Sequence, residues 1–325
     1  MTARGVFGLI APELALVEAE FESQAQSNIQ VIASIGDYLR SSGGKRVRPA
    51  LTILSTYAVG GDGSRQNVVR MATVMELLHT ATLVHDDIID NAETRRNRPS
   101  VNSRFGNQTS VLIGDWLYMS AFETSLTERS LPILDILTAV TRRMTEGELM
   151  QLMLLGSTDI TEEQYFDVLR RKTAYLFSAC CEIGAILAGG GETERRALRE
   201  YGLNLGTAFQ LTDDLLDFTS FDSVLGKAAG VDLLEGKVTL PLIYSLEKRP
   251  DARVAVQKVM RSGDYSEVSR EELLFVAEEA GALETTRARA VEFAEAARDA
   301  LDALKPSRYT DALNSLPAFI LERET

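Results

Sequence analysis

Cysteine, histidine, proline and tryptophan are all scarce in this chain of 325 residues, which carries two Cys, two His, eight Pro and one Trp. The two cysteines are neighbours, Cys180 and Cys181, so no disulfide framework can be built and a reducing, cytoplasmic compartment is expected. The histidines stand at 79 and 85 with no cysteine near them, which leaves a zinc site without its ligands. They also share one acidic segment, so no Ser-His-Asp arrangement follows from them. Uninterrupted apolar runs of about 18 residues are absent, and the first stretch, MTARGVFGLIAPELALVEAE, lacks the apolar core of a signal peptide; no membrane span is expected. Positive charge is short too. Against 34 Lys and Arg stand 47 Asp and Glu, a net charge of −13. That disfavours a nucleic-acid surface and docking on anionic lipid. Neither a Walker-type phosphate loop nor a strand-preceded G-x-G-x-x-G is present.

What is present is helical. Hydrophobic residues at 45% and charged residues at 25% are the ordinary globular mix, which excludes disorder as the dominant state. No proline lies between Pro132 and Pro241, and period-2 alternation is nearly absent while period-3.6 patterns recur. In TEEQYFDVLRRKTAYLFSACCEIGAIL the spacing predicts one helical side carrying Phe166, Leu169, Leu176, Phe177, Cys180 and Ile183. Thr161 with Gln164, and Ser269 with Glu272, read as capping boxes, Gly281 reads as a C-cap, and Gly189-Gly190-Gly191 reads as a helix terminator. No composition shift marks a linker. The expectation is an all-α single domain spanning 1–325, with ten or more helices and loops at Gly61–Asn67, Arg95–Gln108 and Thr219–Lys237.

One internal similarity stands out. HTATLVHDDIID (79–90) resembles GTAFQLTDDLLD (206–217). On a helix, residues four apart share a face and rise about 6 Å. Asp86 and Asp90 can then serve one ion cluster with Asp87 on the adjacent edge, and Asp213, Asp217 and Asp214 repeat the geometry. The apolar runs before both triplets place them near buried ground, where converging carboxylates repel unless cations join them. Hard divalent ions take oxygen ligands, and Mg²⁺ in particular prefers substrate phosphates as well. One such triplet alone would read as a solvated acidic helix face; two copies in matching apolar contexts argue otherwise.

Ahead of them, GGKRVRP (43–49) puts three cations within four residues after a glycine pair, a flexible turn with phosphate-binding heads or, taken alone, a solvated basic turn. Arg95 and Arg96 follow the first triplet and would set cations beside a metal-bound anion, or are surface charges. His79 lies two turns before Asp86 and could donate to a phosphate; His85 reads equally as a satisfied core residue. Together these residues describe a site for two polyphosphate-like anions, one gripped through Mg²⁺ and one directly by Lys and Arg. Such a site ionises a diphosphate leaving group without a protein nucleophile.

From GGKRVRP to EGKVTLPL the chain resembles the trans-isoprenyl diphosphate synthases, head-to-tail prenyltransferases. Two aspartate-rich motifs in this order behind GGKRxRP are close to diagnostic. The resemblance implies helices around a central cavity, usually in a homodimer, with three Mg²⁺ ions when substrate is bound. It implies that allylic diphosphate is held through Mg²⁺ between the motifs by Asp86, Asp90 and Asp213, with Asp87, Asp214 and Asp217 assisting. Lys45, Arg48, His79 and Arg96 would hold isopentenyl diphosphate, and Arg95 would face the allylic diphosphate. Lys172 and Thr173 match the family's Lys-Thr pair, the first on the allylic diphosphate and the second near the developing cation. Gln210 matches the family's glutamine, and Lys227 and Lys237 its downstream lysines on the leaving group. The implied mechanism is ionisation, condensation and elimination, repeated as the product lengthens.

The resemblance also bears on product length. The tail should run along the helix of the first motif, past Ala81 and Thr82 one turn before Asp86, then Leu77 and Leu78, then Val74. Short-product members often carry a bulky aromatic there; here none stands, which implies an open tunnel and a hexaprenyl to decaprenyl product, centred on octaprenyl or nonaprenyl. Residues 79–118 look most like quinone side-chain synthases, and Met119 or Phe122 are candidate floor residues. The terminal AFILERET departs from the basic tail by which some short-chain members close the site. Alternatives are a short-chain synthase, a terpene cyclase of the same fold, and a non-catalytic subunit. A cyclase would need no grip like Lys45, Arg48 and Arg96 and usually has more aromatics than 7%; a non-catalytic subunit typically lacks aspartates that are all intact here.

Overall fold

A computed structural model describes residues 1–24, 29–41, 43–95, 98–219 and 230–322. Arg96 and Lys227, both expected at the site, lie outside these described residues. Helices come first as α1 (Ala3–Leu9), α2 (Ala11–Gln24), α3 (Gln30–Ser41), α4 (Val47–Ala58) and α5 (Gln66–Ile89). A two-residue pair, β1 (Thr94–Arg95) and β2 (Arg98–Pro99), leads to α6 (Val101–Phe105), α7 (Asn107–Leu126) and α8 (Leu131–Leu154). Then follow α9 (Glu162–Leu169), a π-helical turn (Arg170–Ala174), α10 (Tyr175–Leu187) and α11 (Glu192–Thr219). The last helices are α12 (Val231–Leu234), α13 (Leu240–Lys248), α14 (Arg253–Ser262), α15 (Arg270–Glu279), α16 (Ala282–Ala300) and α17 (Arg308–Leu321). The fold is all-α, as the periodicity indicates, and no described helix is long and apolar enough to cross a membrane.

The helix ends follow from local chemistry. Thr161 and Gln164 form a reciprocal capping box at the start of α9, and Ser269 and Glu272 do so for α15, each satisfying backbone N–H groups that a helix start leaves without partners. Gly189 (φ +75°) and Gly281 (φ +62°) take the left-handed conformation just past α10 and α15, where a side chain would be strained. Two expectations are corrected. The stretch Arg95–Gln108 is not all loop, because Arg95 pairs with Arg98 in the antiparallel β1–β2 pair and Ser100 caps α6 by accepting from Ser103 N–H. Of Thr219–Lys237, Val231–Leu234 is helical.

The single helical side expected from Phe166 to Ile183 is interrupted by the π-helical turn. The chain there is not one α-helix. Tyr175 N–H donates to Arg170 O, a bond spanning five residues. One extra residue in the turn swings everything beyond it by about 100°. All six side chains are buried, but in different places. Contacts divide the chain into two compact units: Met1–Thr141 with Leu176–Gly202 and Ala300–Leu316, and Arg142–Tyr175 with Leu203–Asp299 and Pro317–Thr325. Phe166 and Leu169 belong to the second unit, in a cluster with Leu211, Leu215 and Phe218; Leu176, Phe177, Cys180 and Ile183 belong to the first.

In the first unit α5 is buried nearly all round, with Val68, Val69, Met71, Ala72, Val74, Met75, Leu77 and Leu78 all withdrawn from solvent. A helix of that kind is core, and each large side chain contributes about 1.5–3 kcal/mol by leaving water. α7 lies close against it because Gly114 has no side chain: a Cβ there would fall within 2.1 Å of His85 Nε2.

Candidate active site

The first aspartate triplet ends α5. Asp86 is half-buried, Asp87 is 2% exposed, and Asp90 is the C-cap residue rather than a mid-helix one, its N–H donating to Asp86 O at 2.8 Å. The carboxylates thus stand at the negative end of the helix dipole, which makes a cation partner more valuable still. One such partner is in place: Arg95 Nε and Nη2 both meet Asp87 Oδ1 at 2.6 Å, from strand β1 of the antiparallel β1–β2 pair. Asn102 Nδ2 donates to Asp87 O at 3.2 Å, and Ser100 Oγ donates to Ala92 O at 2.5 Å, fixing the turn between the triplet and β1. Burial raises the Asp87 carboxyl above the usual range, against the pull of Arg95.

Asp87, Arg95 and His79 line one cavity of about 50 Å³ in the first unit, together with Arg46 of the GGKRVRP turn and with Glu76, which the sequence did not single out. Lys45 and Arg48 do not line it. Lys45 is exposed at the start of α4, and the Arg48 guanidinium lies 5.0 Å over the Phe177 ring. The turn expected to be flexible is instead pinned. Arg46 is bound by Glu18 and Glu76, with its backbone in the left-handed region at φ 48°. Burial would lower the Arg46 guanidinium, but the two carboxylates outweigh it and hold the group above its ordinary value. His85 is satisfied structurally, Nε2 lying 3.1 Å from Val111 O and 3.5 Å from Asp115.

The second triplet lies in the last two turns of α11, again at a negative helix end. Asp213 is half-buried, while Asp214 and Asp217 are buried. Asp214 has neutral partners: Tyr165 OH donates to Oδ2 at 2.5 Å and Gln210 Nε2 donates to Oδ1 at 2.8 Å. Burial pushes the Asp214 carboxyl up to about 7; the two hydrogen bonds oppose it, and the Asp213 and Asp217 carboxylates add to it. Asp217 Oδ2 accepts from the Asp232 backbone N–H at 3.2 Å. Lys237 reaches Glu235 at 2.6 Å and its N–H donates to Asp232 O.

The π-turn carries Lys172 and Thr173 in this same unit. Thr173 Oγ1 donates to Gln210 Oε1 at 2.8 Å, so Thr173, Gln210, Asp214 and Tyr165 form one continuous line. Lys172 Nζ meets Glu148 Oε2 at 2.6 Å and Gln151 Oε1 at 3.0 Å, both on α8. α8 can come that close because Gly147 is bare; a Cβ there would lie 2.6 Å from Arg171 Cβ. Glu148, Gln151 and Tyr165 were missed in the sequence. Only the i, i+3 spacing of Glu148 and Gln151 beside a helical glycine offered a signal.

The chain-length positions divide. Ala81 and Leu78 are buried, and Thr82 is half-buried with its hydroxyl donating to His79 O at 2.7 Å. Phe122 is half-buried and Met119 is 62% exposed on α7. Among the described residues no three His, Cys, Asp or Glu side chains converge as a group that could hold an ion. The donors themselves suit a hard cation, since all six are carboxylates, and Mg²⁺ takes only one or two of these alongside substrate phosphates.

The family model described as Polyprenyl synthetase matches residues 29–274, a span that contains both triplets, the π-turn and the GGKRVRP turn. The chain belongs to this family. It is 39% identical over 317 residues to the octaprenyl diphosphate synthase of Escherichia coli K12, covering 97% of each chain. It is 36% identical over 315 residues to the geranyl-diphosphate-specific all-trans-nonaprenyl-diphosphate synthase of Rhodobacter capsulatus, covering 97% of this chain and 96% of that one. The crystal structure of polyprenyl synthase from Caulobacter crescentus CB15, complexed with calcium and isoprenyl diphosphate, superposes with a TM-score of 0.92 at 34% identity, over 98% of this chain and 97% of that one. The polyprenyl synthetase fold and the prenyltransferase class are thereby shown for this chain.

Proposed function

We propose that this polyprenyl synthetase adds isopentenyl diphosphate units head to tail to an allylic diphosphate, farnesyl or geranylgeranyl, and makes a long all-trans polyprenyl diphosphate. The observation that carries the reading is the line Thr173–Gln210–Asp214–Tyr165, which ties a hydroxyl suited to a cation to a carboxylate of the second triplet. Asp86, Asp90 and Asp213 would hold Mg²⁺, with Asp87, Asp214 and Asp217 assisting; hard oxygen donors at two negative helix ends fit that ion. When bound, Mg²⁺ neutralises charge on the departing pyrophosphate.

The remaining chemistry belongs to the chain's own residues. Gln210 Nε2 donates to Asp214, so its Oε1 is an acceptor and the Thr173 hydroxyl must be the donor between them. The Thr173 oxygen therefore offers lone pairs, not a proton, to a positive charge. Lys172, Arg95, Lys227 and Lys237 bind the allylic diphosphate and its leaving group; Lys45, Arg48, His79 and Arg96 bind isopentenyl diphosphate. The allylic C–O bond breaks, its electrons leaving with pyrophosphate. The isopentenyl double bond attacks the allylic carbon, and a proton passes to the released pyrophosphate. No histidine base is required, in keeping with a chain that has two.

Product length follows from the small residues Ala81 and Thr82, with Leu78 a turn further, on the path of the tail. We read residues 1–325 as one catalytic domain working as a cytoplasmic homodimer, with transient membrane contact for a long product. Val111, Leu112, Met119 and Leu126 on α7 are all large apolar side chains exposed in the single chain, a surface suited to a second copy. The test is incorporation of labelled isopentenyl diphosphate, with farnesyl diphosphate and Mg²⁺, into material that yields prenyl alcohols after phosphatase treatment. Incorporation that needs both primer and Mg²⁺ is expected. Folded protein that consumes farnesyl diphosphate without incorporating label would point to a cyclase instead.

A further inference from the structure

Three cations in four residues, Lys45, Arg46 and Arg48, offer three phosphate-binding heads on paper. Arg46 is used otherwise. Its Nε donates to Glu18 Oε1 at 2.5 Å, its Nη2 to Glu18 Oε2 at 3.1 Å and its Nη1 to Glu76 Oε1 at 2.7 Å. The grip on Glu18 is a two-pronged fork that only a guanidinium can make. The side chain is 13% exposed and its guanidinium lies 5.6 Å over the Phe21 ring. The charge of Arg46 is thus cancelled by carboxylates from α2 and α5 and adds no field for a substrate.

Its backbone has a second peculiarity. Arg46 sits at φ 48°, ψ 37°, immediately before α4. A non-glycine residue holds that conformation only when its surroundings impose it. Lys45 precedes it and Arg48 lies in the first turn that follows. Glu76 is one turn before His79 on α5, so the same clamp ties the cationic turn to the helix that carries His79.

We propose that Arg46 is the positioning residue of the isopentenyl diphosphate grip: clamped between Glu18 and Glu76, it fixes the backbone that presents Lys45 and Arg48. The inference rests on the reading of Lys45 and Arg48 as diphosphate ligands. Substitution of Arg46 alone would strand the buried Glu76 carboxylate and risk misfolding. The test therefore uses the double variant R46G/E76Q, in which glycine keeps the left-handed backbone accessible and no buried charge is left over. R46K accompanies it, keeping the charge without the fork.

Both variants are expected to raise KM for isopentenyl diphosphate about tenfold, with kcat and the KM for farnesyl diphosphate little changed. R46G/E76Q with wild-type KM values would overturn the proposal. So would a fall in kcat together with a rise in both KM values, the mark of a general structural role. Wild-type incorporation is the control. Should wild type incorporate nothing, the proposed function falls, and the clamp is judged by calorimetric titration with inorganic pyrophosphate. There, equal affinity for wild type and R46G/E76Q overturns it, and about tenfold weaker binding by the variant supports it.

Discussion

The two aspartate triplets look like copies in sequence and are supported by opposite chemistry. In both, the first aspartate is half-buried and the second is buried. The second aspartate of the α5 triplet, Asp87, is matched by a cation, Arg95; its counterpart on α11, Asp214, is matched by two neutral donors, Tyr165 and Gln210. The third members differ as well, Asp90 being a half-buried helix cap and Asp217 a buried acceptor from the Asp232 backbone. A DDxxD motif specifies where carboxylates stand along a helix. It does not specify what holds them, and that is decided by elements elsewhere in the chain.

The largest expected effect treats the copies alike. Asp86→Ala and Asp213→Ala should each slow isopentenyl incorporation by about 10²–10³-fold at saturating Mg²⁺, since each would remove one source of charge stabilisation for the leaving group. Retained activity in either variant would show that the triplets are not equivalent in use. Next comes the neutral support: Tyr165→Phe should weaken Mg²⁺ activation by about 10–100-fold, the usual cost of losing a partner behind a metal ligand, while adding no charge change. A Mg²⁺ activation curve reads it directly. Smaller again is Gly147→Ala, whose Cβ would press on Arg171 and disturb the approach of α8 to Lys172; a loss of about 1–3 kcal/mol in denaturant unfolding is expected.

The last effect is a pH dependence of stability, expected of Asp214 and in the same direction of Asp87, since burial raises both carboxyls. The Asp214 carboxyl is raised to about 7 in the folded chain, whereas an unfolded aspartate titrates near about 4. Between those values the folded chain holds the extra proton. The contribution of Asp214 to the stability of the metal-free protein should therefore be full at low pH and be lost as pH rises from about 4 through about 7. Asp214→Asn should flatten that fall in a series of thermal melts, and Mg²⁺ should offset it by favouring ionised carboxylates. The same slope persisting in Asp214→Asn would assign it elsewhere.

Much of this arrangement is legible in the amino-acid sequence. Both capping boxes, the glycine stops at 189 and 281, and the burial around the triplets follow from local rules of spacing and backbone preference. The π-turn is not legible, because inserting one residue into a helical turn leaves no mark in composition; the period simply slips, and on an unbroken α-helix Phe166 and Leu176 would share one side. Tyr165 and Glu148 were also invisible. Tyr165 meets a partner 49 residues away, across helices, and no local spacing encodes such a meeting. Arg46 was visible only as a charge, and its role as a clamp needed Glu18 and Glu76 in view.

The most direct test of the central reading is the length of the product. Wild-type protein and Ala81→Phe should be run side by side with Mg²⁺, labelled isopentenyl diphosphate and farnesyl diphosphate, and the dephosphorylated alcohols sized. Wild type is expected to give a ladder ending at seven or more isoprene units, and Ala81→Phe a ladder that stops earlier. A wild-type ladder ending at three or four units, unchanged by Ala81→Phe, would keep the chemistry and contradict the long-chain assignment.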